Sequence, residues 1–304
     1  MHTRKEKIEA LGRLLDVQYR LRKECPWDKK QDFNSLRPNT IEEVYELCDA
    51  ISKHDKHEIL KELGDVLEHV IFYAMLGEED GNFDIADVCN QQSDKLMFRH
   101  PFIDWNDCSM LSDAMPRWTV SQTDMTINAK GQVIYKDDSS EQDSKDVKTD
   151  SDVEQTWEQI KQRERDGNTS VLSGVPRSLP SMIKAYRIQD KARAVGFDWE
   201  KAEDVWEKVK EEISEFEVEL RSGNSTTTTE ELGDLLFSLI NASRLYHLNP
   251  ENALENANQK FIRRFEYIEQ RAKDMNRDLS AFTLKEMDQL WDEAKQAEKH
   301  NLLK

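Results

Sequence analysis

Eight acidic residues stand out in this sequence because they fall into four pairs with a single spacing. Glu212 and Glu215 are three residues apart, as are Glu231 and Asp234, and the same holds for Glu43 with Glu46 and Glu62 with Asp65. On a helix of about 3.6 residues per turn, positions i and i+3 share a face, so each pair aims two carboxylates in one direction. Two facing helices that carry such pairs make an oxygen-rich site suited to a hard divalent cation such as Mg2+, with Mn2+ as its substitute. The step from first to third acid is 19 residues in both sets, from Glu43 to Glu62 and from Glu212 to Glu231.

Acids alone prove little in so acidic a chain. With 61 Asp and Glu among 304 residues, chance places roughly half an instance of one such set in the chain, so a single set carries no weight. Thr40-x-x-Glu43 and Thr228-x-x-Glu231 also fit capping boxes, a purely local use for the two glutamates. Two features favour a shared site. The spacing recurs together with Leu-Gly-Asp, at Leu63-Gly64-Asp65 and Leu232-Gly233-Asp234. The acids also border apolar stripes. Val205, Val209, Ile213, Phe216 and Leu220 make one stripe, flanked by Lys208, Glu212, Glu215 and Glu219. Leu232, Leu235, Leu236, Leu239 and Ile240 make the next, flanked by Glu231, Asp234, Ser238 and Asn241, the last a candidate substrate contact. Carboxylates at the edge of a core are partly desolvated, and converging ones repel unless protonated or neutralised by a cation.

The elements that must position these acids are helices. Ile8, Leu11, Leu14, Leu15, Val17 and Leu21 predict an amphipathic helix over 4–24, broken at Cys25-Pro26-Trp27-Asp28. A proline-containing loop is expected to reach Thr40, with a helix from about Ile41, a second through Met75, a turn over Gly77–Phe83 and a third over 84–99. From Ser121 to Val153 polar residues dominate, and such a stretch buries too little apolar area to offset its ordering entropy. It reads as a polar, flexible linker with a small hairpin around Lys130-Gly131. Helices are expected again at about 154–165, 181–194, 203–221, 229–246, 251–275 and 283–299, with Asn249-Pro250 as a cap followed by proline at the first helical position. An offset of 169 superposes the two acid sets, and Lys95 and Arg99 match Lys260 and Arg264 at an offset of 165. The fold class is all-α, with tandem helical domains at 1–104 and 154–304 and a linker over 105–153.

A net charge of −18 argues against a nucleic-acid surface, which needs clustered Lys and Arg. Cys25, Cys48, Cys89 and Cys108 lack paired zinc spacing and read as reduced thiols. No apolar run reaches membrane-spanning length, and the first residues lack the apolar core of a signal peptide, so a soluble cytoplasmic protein is expected.

The paired acids, the Trp27-Asp28 segment, the duplication, and the stretch from Ser178-Leu179-Pro180 through Gly196-Phe197-Asp198-Trp199 to Trp291 resemble the MazG family of nucleoside triphosphate pyrophosphohydrolases. The resemblance implies Mg2+-dependent cleavage of a nucleoside triphosphate to monophosphate and pyrophosphate by a homodimer of helical bundles. It implies Glu212, Glu215, Glu231 and Asp234 as metal ligands and catalytic groups. By the same resemblance Lys208, Lys260, Arg264 and Lys295 hold the triphosphate, and Trp291 lies beside the nucleoside. Read from the residues alone, Lys260 and Arg264 also suit a solvated face and Trp291 a core. Thr227 stands where relatives carry a phosphate-binding lysine. No Walker-type loop is present, so cations and side chains must replace backbone cradling of phosphates.

The copies differ. His69 and Phe72 stand where Ser238 and Asn241 lie in the second set, and no later helix matches Trp291 and Lys295 before the linker. The C-terminal set is expected to carry catalysis, with Glu43, Glu46, Glu62 and Asp65 a weaker copy. The functional expectation is a nucleotide-pool enzyme of broad base tolerance. Its alternatives are an enzyme restricted to a modified or alarmone nucleotide, and a non-catalytic nucleotide-binding dimer that regulates a stress partner.

Overall fold

The computed structural model describes residues 1–109, 117–137, 160, 164, 170–199 and 202–299. The chain divides into two compact units, Met1–Lys148 and Thr149–Lys304. In the first, α1 (Arg4–Glu24) is followed by a 3-10 turn (Asp28–Lys30), α2 (Phe33–Ser52), α3 (Lys56–Glu79), α4 (Ile85–Arg99) and a two-stranded hairpin, β1 (Met125–Ile127) and β2 (Val133–Tyr135). In the second come α5 (Ser181–Ala194), α6 (Ala202–Ser222), α7 (Ser225–Leu245), α8 (Pro250–Asp274), a 3-10 turn (Leu279–Ala281) and α9 (Leu284–Lys299). The α2–α3 and α6–α7 hairpins are the two copies of the acid-bearing unit, and within each the paired helices pack closely. The helix expected at 154–165 lies outside the described residues, apart from positions 160 and 164. No described helix is long and apolar enough to cross a membrane.

One helix of each acid-bearing hairpin starts earlier than periodicity suggests. Helix α2 begins at Phe33 rather than at Ile41, because Asp32 accepts from the amides of Asn34 and Ser35 while Ser35 accepts from the Asp32 amide. This reciprocal cap offsets the one ladder bond that Pro38, in the second turn, has no N–H to make. Thr40 is therefore no cap; its hydroxyl lies 2.7 Å from both His69 Nδ1 and Tyr73 Oη. Helix α7 likewise starts at Ser225 on an Asn224 cap, and the Thr228 hydroxyl donates to the Asn224 carbonyl at 2.7 Å. Glu43 and Glu231 thus sit inside their helices, and the capping-box use of both is overturned. At Asn249-Pro250 the expected cap is present.

The segment after α4 joins the first unit, beyond residue 104 where the sequence suggests that the linker begins. The hairpin predicted near Lys130-Gly131 pairs Met125 with Tyr135 and Ile127 with Val133. Gly131 has φ +77, and a Cβ there would meet the Asp104 side chain. Val133 is fully buried, and Tyr135 packs on Phe98 of α4 with centroids 5.2 Å apart. Asp94 clasps the segment. Its buried carboxylate accepts from the Ser121 amide at 3.0 Å, the Ser121 hydroxyl at 2.6 Å and the Gln122 amide at 2.9 Å. Three buried apolar side chains, Met125, Val133 and Tyr135, and one charged acceptor outweigh a polar average composition.

The apolar stripes point in two directions. In the second unit Val205, Val209 and Ala242 form a core with Leu235 and Leu245 packed against it. Ile213, Leu220, Leu232, Leu236 and Leu239, from the same expected stripes, are exposed, as are Ile41, Val44, Leu60 and Leu63 in the first unit. A second core lies between α8 and α9, where Ile268, Ala272, Phe282 and Leu290 are buried.

Asp94→Ala is expected to destabilise the first unit by about 3 kcal/mol, since it strands two amides and a hydroxyl from a charged acceptor. Urea unfolding checks the size, and faster hydrogen exchange at the Ser121 and Gln122 amides checks the location.

Candidate active site

The α6–α7 hairpin turns at Gly223, whose φ of +73 is left-handed, and this sharp return brings the two acidic pairs together. Glu212, Glu215 and Glu231 each offer a carboxylate oxygen, all within 4.8 Å of one another. Glu212 is only 7 % exposed, so its charge is substantially desolvated. Lys208, one turn earlier, places Nζ 2.8 Å from Glu212 Oε1 and 3.0 Å from Glu211 Oε1. Those two carboxylates hold the Lys208 ammonium well above its ordinary pKa. The Glu231 carboxyl is pushed up, first by burial and then by the charges of Glu215, Asp234 and Glu212. Asp234 stands outside the tight trio, yet its charge acts on Glu231 and it lines the adjoining cavity with Glu212 and Lys208. One lysine does not balance four acids.

That cavity measures about 730 Å³ and opens beside the acids. Phe197, Trp199 and Phe237 supply aromatic walls, and Ser238, Asn241 and Arg244 line it with polar groups. Arg244 is nearly buried; its Nη1 donates to Asp198 Oδ2 at 3.0 Å, its Nη2 donates to Asp198 Oδ1, and Nη2 also donates to Asn241 Oδ1 at 2.9 Å. The last bond fixes the Asn241 amide. Gly196, with φ +87, ends α5 and turns the chain so that Phe197 N bonds the Ala192 carbonyl and Asp198 reaches Arg244. Gln189 of α5 donates to the Phe237 carbonyl at 2.8 Å and closes α5 onto α7.

Sequence reasoning missed Asp198, Arg244, Phe197 and Trp199 as cavity residues. Arg244 was within reach, because the strip of Glu231, Asp234, Ser238 and Asn241 meets it at the next helical step. Asp198 was not, since only tertiary folding makes it the partner of Arg244.

The expected binding residues divide into two groups. Lys208 and Asn241 line the cavity. Lys260, Arg264, Trp291 and Lys295 lie on the α8–α9 hairpin and are not among its lining residues. Arg264 donates to Glu298 at 2.6 and 2.8 Å and its guanidinium stands 5.5 Å from the Trp291 ring. Trp291 packs on Phe261, centroids 5.0 Å apart, and against the α8–α9 core. Lys295 pairs with Asp292 at 2.9 Å, and Lys260 is exposed. At position 227 the threonine hydroxyl donates to Glu219.

In the first unit Glu43, Glu62 and Asp65 bring carboxylate oxygens within 4.8 Å of one another. Glu46 is outside that trio, though its charge helps to raise the Glu43 carboxyl, whose main cause is burial. The neighbouring space differs completely. Phe72 and Met75, which align with Asn241 and Arg244, are 2 % and 3 % exposed and form a packed core with Leu36 and Leu76.

Two segments, residues 31–103 and 200–268, match the MazG nucleotide pyrophosphohydrolase domain. The chain is 36 % identical over 298 residues to the nucleoside triphosphate pyrophosphohydrolase of Escherichia coli (strain K12), covering 96 % of this chain and 99 % of that one. The chain belongs to the MazG family. The nucleoside triphosphate pyrophosphohydrolase/pyrophosphatase MazG of Thermotoga maritima is 34 % identical over 272 residues, 89 % of each chain. The uncharacterized protein YabN of Bacillus subtilis is 39 % identical over 279 residues, 91 % of this chain and 49 % of that one. Both family segments coincide with the acid-bearing hairpins, so the duplication expected from the spacing is a duplication of the MazG domain.

Two outcomes follow from this geometry. Raised carboxylates such as Glu231 and Glu43 bind more protons folded than unfolded between the ordinary and the raised pKa, so they lower stability as pH rises through that window. A cation that pairs with them removes this loss. The Tm difference between Mg2+-loaded and metal-free protein is therefore expected to widen as pH rises from the ordinary carboxylate range to neutrality, which a thermal-shift pH series measures. Arg244→Met strands Asp198 and is expected to cost about 3 kcal/mol. Adding Asp198→Asn should recover part of that loss in denaturant unfolding.

Proposed function

We propose that the second unit hydrolyses nucleoside triphosphates to the monophosphate and pyrophosphate with Mg2+, as a cytoplasmic nucleotide-pool enzyme of broad base tolerance. The observation that carries this reading is the adjacency of an acid trio and a nucleoside-sized cavity, with Lys208 at their junction. A triphosphate brings about four negative charges, which unneutralised carboxylates would repel. Glu212, Glu215 and Glu231, with Asp234 beside them, suit Mg2+ as an all-oxygen donor set, and family membership supports that choice. Bound there, Mg2+ supplies polarisation of a phosphoryl oxygen and a lower pKa for an attacking water.

The chain's own groups do the rest. Lys208, anchored to Glu212, offers a cation to phosphate oxygens at the edge of the acids. The aromatic walls of Phe197, Trp199 and Phe237 take a base without reading its edge, which supports breadth. Asn241, its oxygen committed to Arg244, is left to donate through its amide N–H2.

A homodimer belongs to the same proposal. The exposed residues Ile213, Leu232, Leu236 and Leu239 share the acid-bearing hairpin, and a second copy packed there would bury them. In that arrangement Lys260, Arg264, Trp291 and Lys295 are the residues to examine as contributions to the site from α8–α9.

A panel of eight common NTPs and dNTPs, with and without Mg2+, tests the reaction. Monophosphate plus pyrophosphate in equimolar amounts, from most of the panel and only with Mg2+, is expected. Diphosphate plus phosphate would place the cleavage at another bond, and activity confined to an added alarmone or modified nucleotide would establish the restricted enzyme instead.

A further inference from the structure

Two side-chain amides come together at one turn of α7, and each is held at one end only. Gln189 of α5 is 6 % exposed; its Nε2 donates to the Phe237 carbonyl at 2.8 Å, while its Oε1 is buried without a hydrogen-bond partner. Asn241 of α7 is held the opposite way round. Arg244 Nη2 donates to its Oδ1 at 2.9 Å, and its Nδ2 makes no hydrogen bond among the described residues. Both residues line the cavity of the second unit. They are also neighbours. In an α-helix the Phe237 carbonyl accepts from the backbone amide of Asn241, four residues on, so Gln189 is tied to the turn that carries Asn241.

A buried carbonyl oxygen that has lost water and gained no donor is costly, so an orphan in a cavity wall points to a ligand that supplies an N–H or O–H. Neither amide is free to turn over. Flipping Gln189 would set its oxygen against the Phe237 carbonyl, and flipping Asn241 would set its N–H2 against the Arg244 guanidinium. Asp198 holds that guanidinium through both Nη atoms. The wall therefore presents a fixed donor beside a fixed acceptor, in a cavity that Phe197, Trp199 and Phe237 line with aromatic rings. A flat ring bearing an acceptor next to an N–H is the complement. The pairing edge of a nucleobase is such an edge, with a ring nitrogen beside an amino group in adenine and cytosine, and a carbonyl beside a ring N–H in guanine and uracil.

We propose that Gln189 and Asn241 read the pairing edge of the nucleobase, Asn241 donating to its acceptor and Gln189 accepting from its N–H, with Arg244 and Asp198 as positioning residues. This role rests on the nucleotide reading of the cavity and deepens it. Adenine and cytosine carry the pair in one order round the ring and guanine in the other, so the contact grades the common bases. Uracil, whose ring N–H is flanked by two carbonyls, meets it in either order. A base with a methyl in place of that N–H strands Gln189 Oε1 and is disfavoured whatever its orientation.

The test gives the full chain, with Mg2+, two substrates of equal size, 3-methyl-UTP and 5-methyl-UTP. They differ only in whether the methyl replaces the ring N–H or sits off the pairing edge. kcat/KM for pyrophosphate release is expected to be about tenfold or more lower for 3-methyl-UTP, with 5-methyl-UTP close to UTP. Gln189→Met, which removes the acceptor at similar size, should bring the two methylated substrates level, and Arg244→Met, which releases the Asn241 amide, should shrink their ratio. Loss of folded protein lowers both rates alike and leaves the ratio unchanged, so the ratio separates base reading from folding. Equal kcat/KM for the two substrates in the parent overturns the proposal, as does a ratio that survives Gln189→Met. Should no nucleotide yield pyrophosphate, the reaction assigned to the cavity fails instead, and the affinities of 3-methyl-UMP and 5-methyl-UMP, measured by calorimetry, decide the contact by the same ratio.

Discussion

Carboxylates that converge at low exposure repel one another, and both hairpins of this protein are built around that conflict. In the second unit Glu212 is almost buried, Glu215 and Glu231 lie within 4.8 Å of it, and a single lysine answers them. Hairpin packing enforces the convergence: Val205 and Val209 must enter the core with Ala242, and that register leaves the acids no other face. Such a conflict is what the Mg2+ of the proposed reaction would relieve.

Duplication then allowed the space beside the conflict to diverge. Asn241 and Arg244 in the second unit keep a polar cavity open, braced by Asp198 from the loop after α5. Phe72 and Met75 in the first unit close the same place with a packed core. Phe72 and Met75, at the positions of Asn241 and Arg244, mark the difference between a packed core and an open cavity. The acid trio persists in both.

Much of this was legible in the sequence because helices announce themselves by period. The spacing of Glu212, Glu215, Glu231 and Asp234 placed four carboxylates on facing strips, and α1, α4, α5 and the Asn249-Pro250 start of α8 lie close to where periodicity set them. Local capping hid the start of α2, since Asp32 and Ser35 outcompete the usual reading of Pro38 as a break. Composition hid the hairpin's attachment, which depends on Asp94 and a few apolar residues within a polar stretch. The single direction assumed for the stripes was also incomplete, because Leu232, Leu236 and Leu239 point away from the core of their own unit. Ion pairs across elements, such as Asp198 with Arg244 and Arg264 with Glu298, leave no periodic trace at all.

The central claim is that one acid set, the second, performs the chemistry. It is tested most directly by comparing kcat for pyrophosphate release in two single variants of the full chain, Glu212→Gln and Glu46→Gln. Glu212→Gln removes the buried carboxylate charge of the set and is expected to lower kcat by about 100-fold or more. Glu46→Gln, which aligns with Glu215 and lies outside the acid trio of the first unit, is expected to change it by less than about threefold. A large loss in Glu46→Gln with near-normal turnover in Glu212→Gln would contradict the account and move the working site to the first unit.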